Sequence, residues 1–293
     1  MLMLLLLAAL GVSVEARAVC APLRITAFNI QIFGQKKASK EEVMGNLTKV
    51  LAGDDLVLVQ EIRESPSSIK EGRLPALEDL RQRLNQHVGC PDCWHSVAGA
   101  RQGRSSSKEQ YAYLFREERI AIRDYYDFPD QKDFFARPPL VVEVEDLCPS
   151  PPVERFGIVA IHTAPEDAVE ELTELPEVQE DAERKWSDVE NYLLMGDFNM
   201  DCSYVSNKKE KALPFYHDEQ YTVLIPDEAD TTVSATNCAY DRFIVSGKEI
   251  TEAVDKVEIV RYDQDKNGNP SMSNKEAKRI SDHYPIRLTL SNH

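Results

Sequence analysis

The chain contains 293 residues, of which 42 % are hydrophobic, and its 34 Lys and Arg against 50 Asp and Glu give a formal net charge of −16. The length allows one large domain or two small ones, and without internal repeats or Gly/Ser-rich linkers a single domain over residues 19–293 is the simpler interpretation. The charge argues against a simple nucleic-acid-binding module, which would carry a basic face, but not against an enzyme whose metal ions offset acidic side chains.

The chain opens with an apolar run, Met1 to Leu10, which is shorter than the roughly 20 residues that span a bilayer. The run leads to Ala16-Arg17-Ala18, whose small first and third residues fit a signal-peptidase site. We therefore predict a signal peptide over residues 1–18 and a secreted, extracellular protein. A retained anchor is the alternative, since no Lys or Arg precedes the apolar run. No later segment is apolar enough to predict a membrane span.

Six cysteines follow the predicted cleavage site, and an even number in a secreted chain predicts disulfide bonds. They are Cys20, Cys90, Cys93, Cys148, Cys202 and Cys238. The CxxC formed by Cys90 and Cys93 could also be a redox pair or half of a zinc site, but the sequence has no second CxxC, which favours a small closed loop. Asn46-Leu47-Thr48 is a glycosylation sequon, which requires that Asn46 face the solvent.

Strand and helix patterns alternate along the rest of the chain. The segment 23–30 alternates apolar and polar residues and predicts a strand, followed by a helix over 40–52, a buried strand over 56–59 and a helix over 74–84. Further strands are predicted over 111–115, 140–144, 156–161, 192–195, 242–245 and 286–290, and the acidic segment 166–190 is predicted to be mainly helical despite Pro176. Two packed sheets with outer helices would bring the strand ends together at one rim.

Polar residues lie at the ends of these predicted strands. The fragments are Phe28-Asn29, Gln60-Glu61, Gly196-Asp197-Phe198-Asn199, Tyr240-Asp241-Arg242 and Ser281-Asp282-His283, and His162 ends the strand over 156–161. Each fragment alone is more typical of a turn, and a single histidine is more often structural. Their occurrence together in this order favours a functional site.

The side chains in these fragments offer carboxylate and amide oxygens, which suit magnesium, manganese or calcium rather than zinc. The carboxylates are those of Glu61, Asp197 and Asp282, and the amides are those of Asn29 and Asn199. A metal held by such oxygens can polarise a phosphoryl oxygen and orient a scissile phosphate.

Seven fragments together resemble the deoxyribonuclease I family of the endonuclease/exonuclease/phosphatase superfamily, from Leu23 to Leu290. They are Ile25 to Gln31, Leu58 to Arg63, Ser107 to Tyr111, His162 to Pro165, Met195 to Asn199, Cys238 to Arg242 and Ser281 to Pro285. The resemblance implies an α/β four-layer sandwich, with two central mixed sheets flanked by helices. It also implies a secreted endonuclease that hydrolyses DNA with little sequence specificity and leaves 5′-phosphate and 3′-hydroxyl ends.

The resemblance implies two catalytic pairs, His162 with Glu109 and His283 with Asp241. In each pair the carboxylate would fix one ring nitrogen and leave the other for proton transfer. The metal set implied for Mg²⁺ or Mn²⁺ is Asn29, Glu61, Asp197 and Asp282. A structural Ca²⁺ loop is implied at Asp230, Thr232, Ser234 and Thr236, and a disulfide between Cys202 and Cys238.

Duplex DNA is the implied partner, contacted at its phosphates and in its minor groove by Arg63, Arg104, Arg137, Asn199 and Tyr204. The chain departs from the family at Ser107, where pancreatic-type enzymes have a Tyr that packs on a deoxyribose. It lacks the small disulfide loop often found in the segment 125–133, where Asp130 and Asp133 retain calcium-binding capacity. The segments 64–68 and 96–98 replace apolar contacts to monomeric actin, so we expect no actin binding, and we expect a monomer.

Two other functions stay open on sequence grounds. A superfamily relative could hydrolyse another phosphoester, in the manner of a sphingomyelinase or an inositol phosphatase. A catalytically silent relative could serve as a binding module, but that requires a broken site, and all the catalytic positions are intact.

Overall fold

Two parallel strand pairs form the centres of two six-stranded sheets in the computed structural model, which describes residues 20–69 and 72–292. The predicted signal peptide lies outside these residues. The strands are β1 (Leu23–Phe33), β2 (Leu56–Ile62), β3 (Trp94–Ala98), β4 (Gln110–Arg116), β5 (Ile120–Asp127), β6 (Leu140–Asp146), β7 (Arg155–His162), β8 (Tyr192–Asp197), β9 (Tyr221–Val223), β10 (Asp241–Ser246), β11 (Val254–Ile259) and β12 (Ile286–Leu290). The helices are α1 (Gln35–Ala38), α2 (Glu41–Leu51), α3 (Pro75–Val88), α4 (Ala168–Lys185), α5 (Asn207–Glu210), α6 (Lys248–Ala253) and α7 (Asn274–Ile280), with a 3₁₀ turn at Pro214–Tyr216.

The strand orders are β11-β12-β1-β2-β4-β3 in the first sheet and β5-β6-β7-β8-β10-β9 in the second. The pairs β1/β2 and β7/β8 run parallel, and the other neighbours pair antiparallel, so both sheets are mixed. Asn29 lies opposite Gln60 in the first parallel pair, and His162 lies opposite Asp197 in the second. Each parallel pair therefore ends in polar residues.

Three apolar clusters fill the spaces between four layers. Along β1, Ile25 and Ala27 face the space between the two sheets, whereas Phe28 and Ile30 face outward, because successive strand residues point to opposite faces. Helices α1, α2, α3 and α7 cover the outer face of the first sheet, and α4 covers that of the second. The predicted four-layer α/β sandwich is confirmed.

The eight strands predicted from the residue pattern are the inner strands of the two sheets. The four strands that no residue pattern predicted, β3, β5, β9 and β11, are the edges. Edge strands are partly exposed here, as β5 and β11 are, and so lack the continuous apolar run of an inner strand. The acidic helix is confirmed as α4, shorter than predicted, with Pro176 in its interior.

The six cysteines pair as Cys20–Cys148, Cys90–Cys93 and Cys202–Cys238. The bond implied between Cys202 and Cys238 is therefore present, and the CxxC closes on itself as a small loop. Within the described residues no helix has the length and apolar character needed to cross a membrane. Asn46 lies half-buried in α2, where its amide donates to the carbonyl of Glu42 at 2.9 Å, and its glycosylation stays a prediction.

A buried carboxylate on α4 connects two loops behind the ends of the second sheet. Glu171 is completely buried, and its Oε1 accepts from the backbone N–H of Ala136 at 3.1 Å and of Ala164 at 3.2 Å. Burial raises the pKa of Glu171 to about 7, against the opposing effects of these donors and of Arg137. Because Ala136 precedes Arg137 and Ala164 follows Thr163, the carboxylate holds together the two segments beside His162.

We predict that Glu171→Gln gains stability relative to the wild type as the pH rises from 5 to 8. A carboxyl group whose pKa is raised by folding stabilises the folded state below its unfolded pKa, and this contribution is lost as the pH rises through the folded value. Glutamine stays neutral, so the difference in free energy of unfolding should shift by about 2 kcal/mol in its favour. Urea unfolding at both pH values measures the shift. The exposed neighbour substitution Glu170→Gln is the control, and a difference independent of pH would contradict the prediction.

Candidate active site

The candidate active site lies at the rim where the two central parallel strand pairs end. Glu61, the second-last residue of β2, has φ 56°, and Asn199, just beyond β8, has φ 48°, so the backbone turns sharply at both places. Gly196 has φ 133°, and a Cβ at this position would lie 2.2 Å from the carbonyl oxygen of Ile161. These turns direct polar side chains from both sheets into one space.

His162 and Glu109 form the first of the two expected pairs. Nδ1 of His162 lies 3.1 Å from Oε2 of Glu109, and both side chains are buried. Burial alone would raise the pKa of Glu109, but the hydrogen bond and charge of His162, together with Arg137 and Arg63, lower it to about 2. The carboxylate of Glu109 therefore stays ionised and holds the ring of His162 in one orientation through Nδ1. Nε2 of the ring makes no contact with Glu109.

His283 and Asp241 form the second pair, with Nδ1 of His283 2.8 Å from Oδ2 of Asp241. Burial raises the pKa of Asp241, although the charge of His283 opposes this effect. Burial also disfavours a charged His283, but the carboxylates of Asp241 and Asp197 raise its pKa well above the ordinary value. The expected pairing of residues is present in both cases.

The two pairs converge on a single oxygen atom. Nε2 of His162 lies 3.4 Å from Oδ2 of Asp197, and Nε2 of His283 lies 3.5 Å from the same oxygen. Asp197 is buried, which favours its neutral form, yet the charges of both histidines and the N–H of Asn199 hold its pKa below the ordinary range. The two ring nitrogens that are free of Glu109 and Asp241 therefore lie within reach of one bound group.

The carboxylates of the expected metal set lie close together around Asn29. Its amide nitrogen donates to Glu61 Oε1 at 3.2 Å and to Asp197 Oδ2 at 3.1 Å, while its oxygen accepts from the N–H of Gln31. Asp282 lies one side chain further out and accepts from the amide of Gln31 at 2.7 Å. Asn29 thus presents nitrogen rather than oxygen to the carboxylates, and its role as a ligand stays a prediction.

Apart from Asp201 beside the Cys202–Cys238 disulfide, two groups of the described residues have ligand atoms close enough to share a metal ion. One comprises Glu61, Glu109 and His162, and the other comprises Asp197, Asp241 and His283. In each group two carboxylates accompany one imidazole. This mainly oxygen donor set fits magnesium or manganese better than a structural zinc ion.

The expected calcium loop brings its four side chains together. The hydroxyl of Thr232 lies 3.1 Å from a carboxylate oxygen of Asp230 and 2.8 Å from the carbonyl oxygen of Thr236, and the hydroxyls of Ser234 and Thr236 are in contact. Residue 232 also forms an isolated bridge with His283. The loop therefore supports one of the two histidine segments directly.

The three expected DNA-contacting arginines each pair with protein groups. Arg63 lies 2.9 Å from Glu61 and donates to the hydroxyl of Ser107, and Arg104 pairs with Asp167 at 3.1 Å. Arg137 is largely buried, with donors occupied by the carbonyls of residues 162 and 163 and by Glu109. Arg137 therefore braces the pair of His162 and Glu109, and its contact with DNA stays a prediction.

Asn199 and Tyr204, the other two expected substrate contacts, differ in exposure. Asn199 is buried, and its amide donates to the carbonyl of Thr163 at 3.0 Å. Tyr204 is 39 % exposed, and its ring lies 5.2 Å from that of Tyr240, which in turn lies 6.3 Å from the ring of His283. An aromatic tract therefore runs from the second pair to the surface.

The sequence analysis did not predict the contacts by which Gln60 and Tyr111 join the two sheets at this rim. The amide of Gln60 donates to the carbonyl of Ile161 at 2.7 Å and accepts from the N–H of Asp197 at 3.0 Å. The hydroxyl of Tyr111 accepts from the N–H of His162 at 2.8 Å. The position of Gln60 directly after the buried run 56–59 was the available signal for its role, and Tyr111 was assigned only to a predicted strand and to one family-like fragment.

Comparisons with known proteins place the chain in a family. A profile of the Endonuclease/Exonuclease/phosphatase family matches residues 26–283. The chain is 38 % identical over 277 residues to Deoxyribonuclease-1 of Equus caballus, covering 93 % of each chain. It is also 38 % identical over 274 residues to Deoxyribonuclease-1 of Bos taurus, covering 92 % of each chain.

Solved structures share the fold at low sequence identity. A humanised TDP2 of D. rerio has a TM-score of 0.58 at 16 % identity, covering 92 % of this chain and 99 % of that one. A mannosyl-6-phosphatase of Bacteroides thetaiotaomicron has a TM-score of 0.57 at 16 % identity, covering 92 % of this chain and 100 % of that one. The sequence relatives carry the finer assignment, and the chain belongs to the deoxyribonuclease I family of the endonuclease/exonuclease/phosphatase superfamily as a hydrolase of that type.

Proposed function

We propose that this protein is a secreted, divalent-metal-dependent endonuclease that cuts double-stranded DNA with little sequence preference and leaves 5′-phosphate and 3′-hydroxyl ends. The observation that carries the proposal is the convergence of Nε2 of His162 and Nε2 of His283 on Oδ2 of Asp197, with a carboxylate behind each ring. Two imidazoles on one bound phosphate are suited to general acid–base catalysis.

In the proposed reaction, one histidine accepts a proton from a water molecule whose oxygen attacks phosphorus. The bond between phosphorus and the 3′-oxygen breaks, and the other histidine protonates that oxygen. Glu61, Asp197, Asp282 and Asn29 would hold a divalent cation, which when bound supplies positive charge to the phosphate oxygens. Glu109 and Asp241 hold the rings in place, since each contacts an Nδ1 atom.

The relatives favour DNA over other phosphoesters. The sequence relatives at 38 % identity are named Deoxyribonuclease-1, whereas the phosphatase neighbour shares only 16 % identity. A TDP2 structure of similar fold is described as complexed with a single-strand DNA product. Plasmid nicking with magnesium and calcium, with and without a chelator, tests the proposal. Hydrolysis of sphingomyelin or inositol phosphates without nicking of DNA would favour a sphingomyelinase or an inositol phosphatase. If none of these substrates were hydrolysed, a binding module would be favoured.

We predict that His162→Ala and His283→Ala each reduce DNA cleavage by about 10²-fold or more, the usual scale for losing general acid–base catalysis. Nicking rates of the folded variants under saturating DNA provide the measurement. His217→Ala is the matched control, because His217 is exposed and lies outside both pairs. Near-wild-type cleavage by either catalytic variant would refute its assigned role.

A second expected result concerns the loop of Asp230, Thr232, Ser234 and Thr236. If this loop binds calcium only in the folded state, added calcium raises the melting temperature and a chelator lowers it, by mass action. Asp230→Asn should abolish the calcium-dependent rise. Asp265→Asn should leave it intact, since Asp265 accepts from the N–H groups of residues 267 and 269 in an exposed turn. Identical melting curves with calcium and with chelator would count against the site.

Monomeric actin should not inhibit this enzyme. The segment after Arg63 stands where the resemblance to actin-binding family members implies an apolar strip. In this chain it forms a serine-rich turn, in which Ser65 contacts Ser67 and Ser68 through hydroxyl groups. Ser96 replaces a second, aromatic anchor. Each lost anchor weakens binding by about 2 kcal/mol or more, so the two together give roughly a thousandfold.

Titration of nicking activity with purified monomeric actin measures this effect, with an actin-sensitive family member as the positive control. Inhibition at nanomolar actin would show that other residues supply the missing contacts.

A further inference from the structure

Ile32 is an apolar residue in an unusual position at the rim of the active site. Its side chain is 56 % exposed, the largest value among the exposed large hydrophobic residues of the described chain. Its φ is 53°, in the left-handed region, which β-branched residues rarely adopt. Exposed apolar residues are common on protein surfaces, but an exposed isoleucine in a disfavoured backbone conformation calls for a physical cause.

The backbone of Ile32 is held in this conformation by groups of the site itself. The pairing of β1 with β2 shifts register between Asn29 and Phe33, and the resulting bulge turns residues 31 and 32 outward. The N–H of Ile32 donates to Oε2 of Glu61 at 2.9 Å. The side chain of Gln31 donates to Asp282 at 2.7 Å. Two carboxylates of the expected metal set therefore hold the bulge.

The same carboxylate connects Ile32 to the residues expected to meet DNA. Oε2 of Glu61 also lies 2.9 Å from Nη2 of Arg63, whose Nη1 donates to the hydroxyl of Ser107 at 2.9 Å. Ile32, Arg63 and Ser107 thus belong to one surface around Glu61. Ser107 contributes only a hydroxyl group to this surface, whereas Ile32 contributes an exposed aliphatic side chain.

We propose that Ile32 is a specificity-determining residue, whose side chain packs against the sugars of the minor groove beside the scissile phosphate. Aliphatic side chains are commonly placed in the minor groove by proteins that bind duplex DNA there. The proposal rests on the proposed function and refines it, because it assigns the apolar part of duplex recognition to residue 32. Ile32 then contributes to binding of duplex DNA and not to hydrolysis of a small phosphodiester.

The test is Ile32→Asn, because asparagine adopts positive φ readily and removes the apolar group. We expect this substitution to increase thermal stability and to weaken the binding of duplex DNA. The melting temperature rises by about 2–4 °C, because backbone strain is relieved. The KM for duplex DNA rises about fivefold to tenfold, the scale of losing a partly buried aliphatic contact, while kcat stays within about twofold. Hydrolysis of a chromogenic bis-aryl phosphodiester is unchanged.

Three further variants serve as controls for the Ile32→Asn substitution. Ile32→Leu keeps an aliphatic group and should keep the KM of the wild type. Leu147→Asn removes an exposed leucine that lies just beyond the end of β6. This end of β6 pairs with residue 155 at the start of β7, far from His162 at the other end of that strand. The substitution should therefore leave the KM and the melting temperature unchanged. Ser107→Tyr in the Ile32→Asn background should lower the KM again, because it restores an apolar group on the same surface.

An unchanged KM of Ile32→Asn for duplex DNA would overturn the proposal, as would an equal loss on DNA and on the small phosphodiester. These outcomes differ from failure of the proposed function, in which the wild-type protein itself would show no metal-dependent nicking.

Discussion

The carboxylate of Asp197 is the point on which the arrangement of the site depends. It receives a hydrogen bond from Asn29 of the first sheet and lies within 3.5 Å of the ring nitrogens of both histidines. A buried charge of this kind is stable only when it is paired and hydrogen-bonded, so its partners cannot move independently of it. Gln60 accepts from the N–H of Asp197 and donates to Ile161 across the two sheets. The same contacts therefore join the two sheets at the rim and fix the positions of the two His–carboxylate pairs.

This arrangement also explains how a chain of net charge −16 can act on a polyanion. Surface charges separated by more than about 8–10 Å are largely screened at physiological salt, so the local balance matters more than the total. At the rim, Arg63 neutralises Glu61, and Arg137 neutralises Glu109. The remaining carboxylates are those of Asp197, Asp241 and Asp282, and each lies within 3.9 Å of a ring nitrogen of His283. Under the proposed function, a divalent cation would offset the negative charge that the arginines and histidines leave uncompensated.

The sequence predicted those parts of the fold that are encoded locally. The inner strands carry continuous apolar runs, such as Leu56 to Val59, because both of their faces are buried. The edge strands carry no such signal, and residue patterns did not find them. The paired histidines and carboxylates came from resemblance, since residues such as Glu109 and His162 lie 53 positions apart. The contacts of Gln60 and Tyr111 across the sheets, and the pairing of Cys20 with Cys148, depend on tertiary packing that no local pattern records.

The backbone conformation at the rim of the site is a further feature that local sequence preference does not predict. Four non-glycine residues there have positive φ, namely Gln31, Ile32, Glu61 and Asn199. Local preference alone would disfavour this conformation at Ile32 most strongly, because its side chain is β-branched. The strands on either side are held by buried sheets, so the packing over-determines the turn and maintains the strain. A conflict between local backbone preference and the global fold is expected at functional sites. Here Glu61 itself belongs to the expected metal set, and the other three residues lie within three positions of Asn29 or Asp197. The disfavoured conformation is therefore a property of the site, imposed by the carboxylates that the site must hold together.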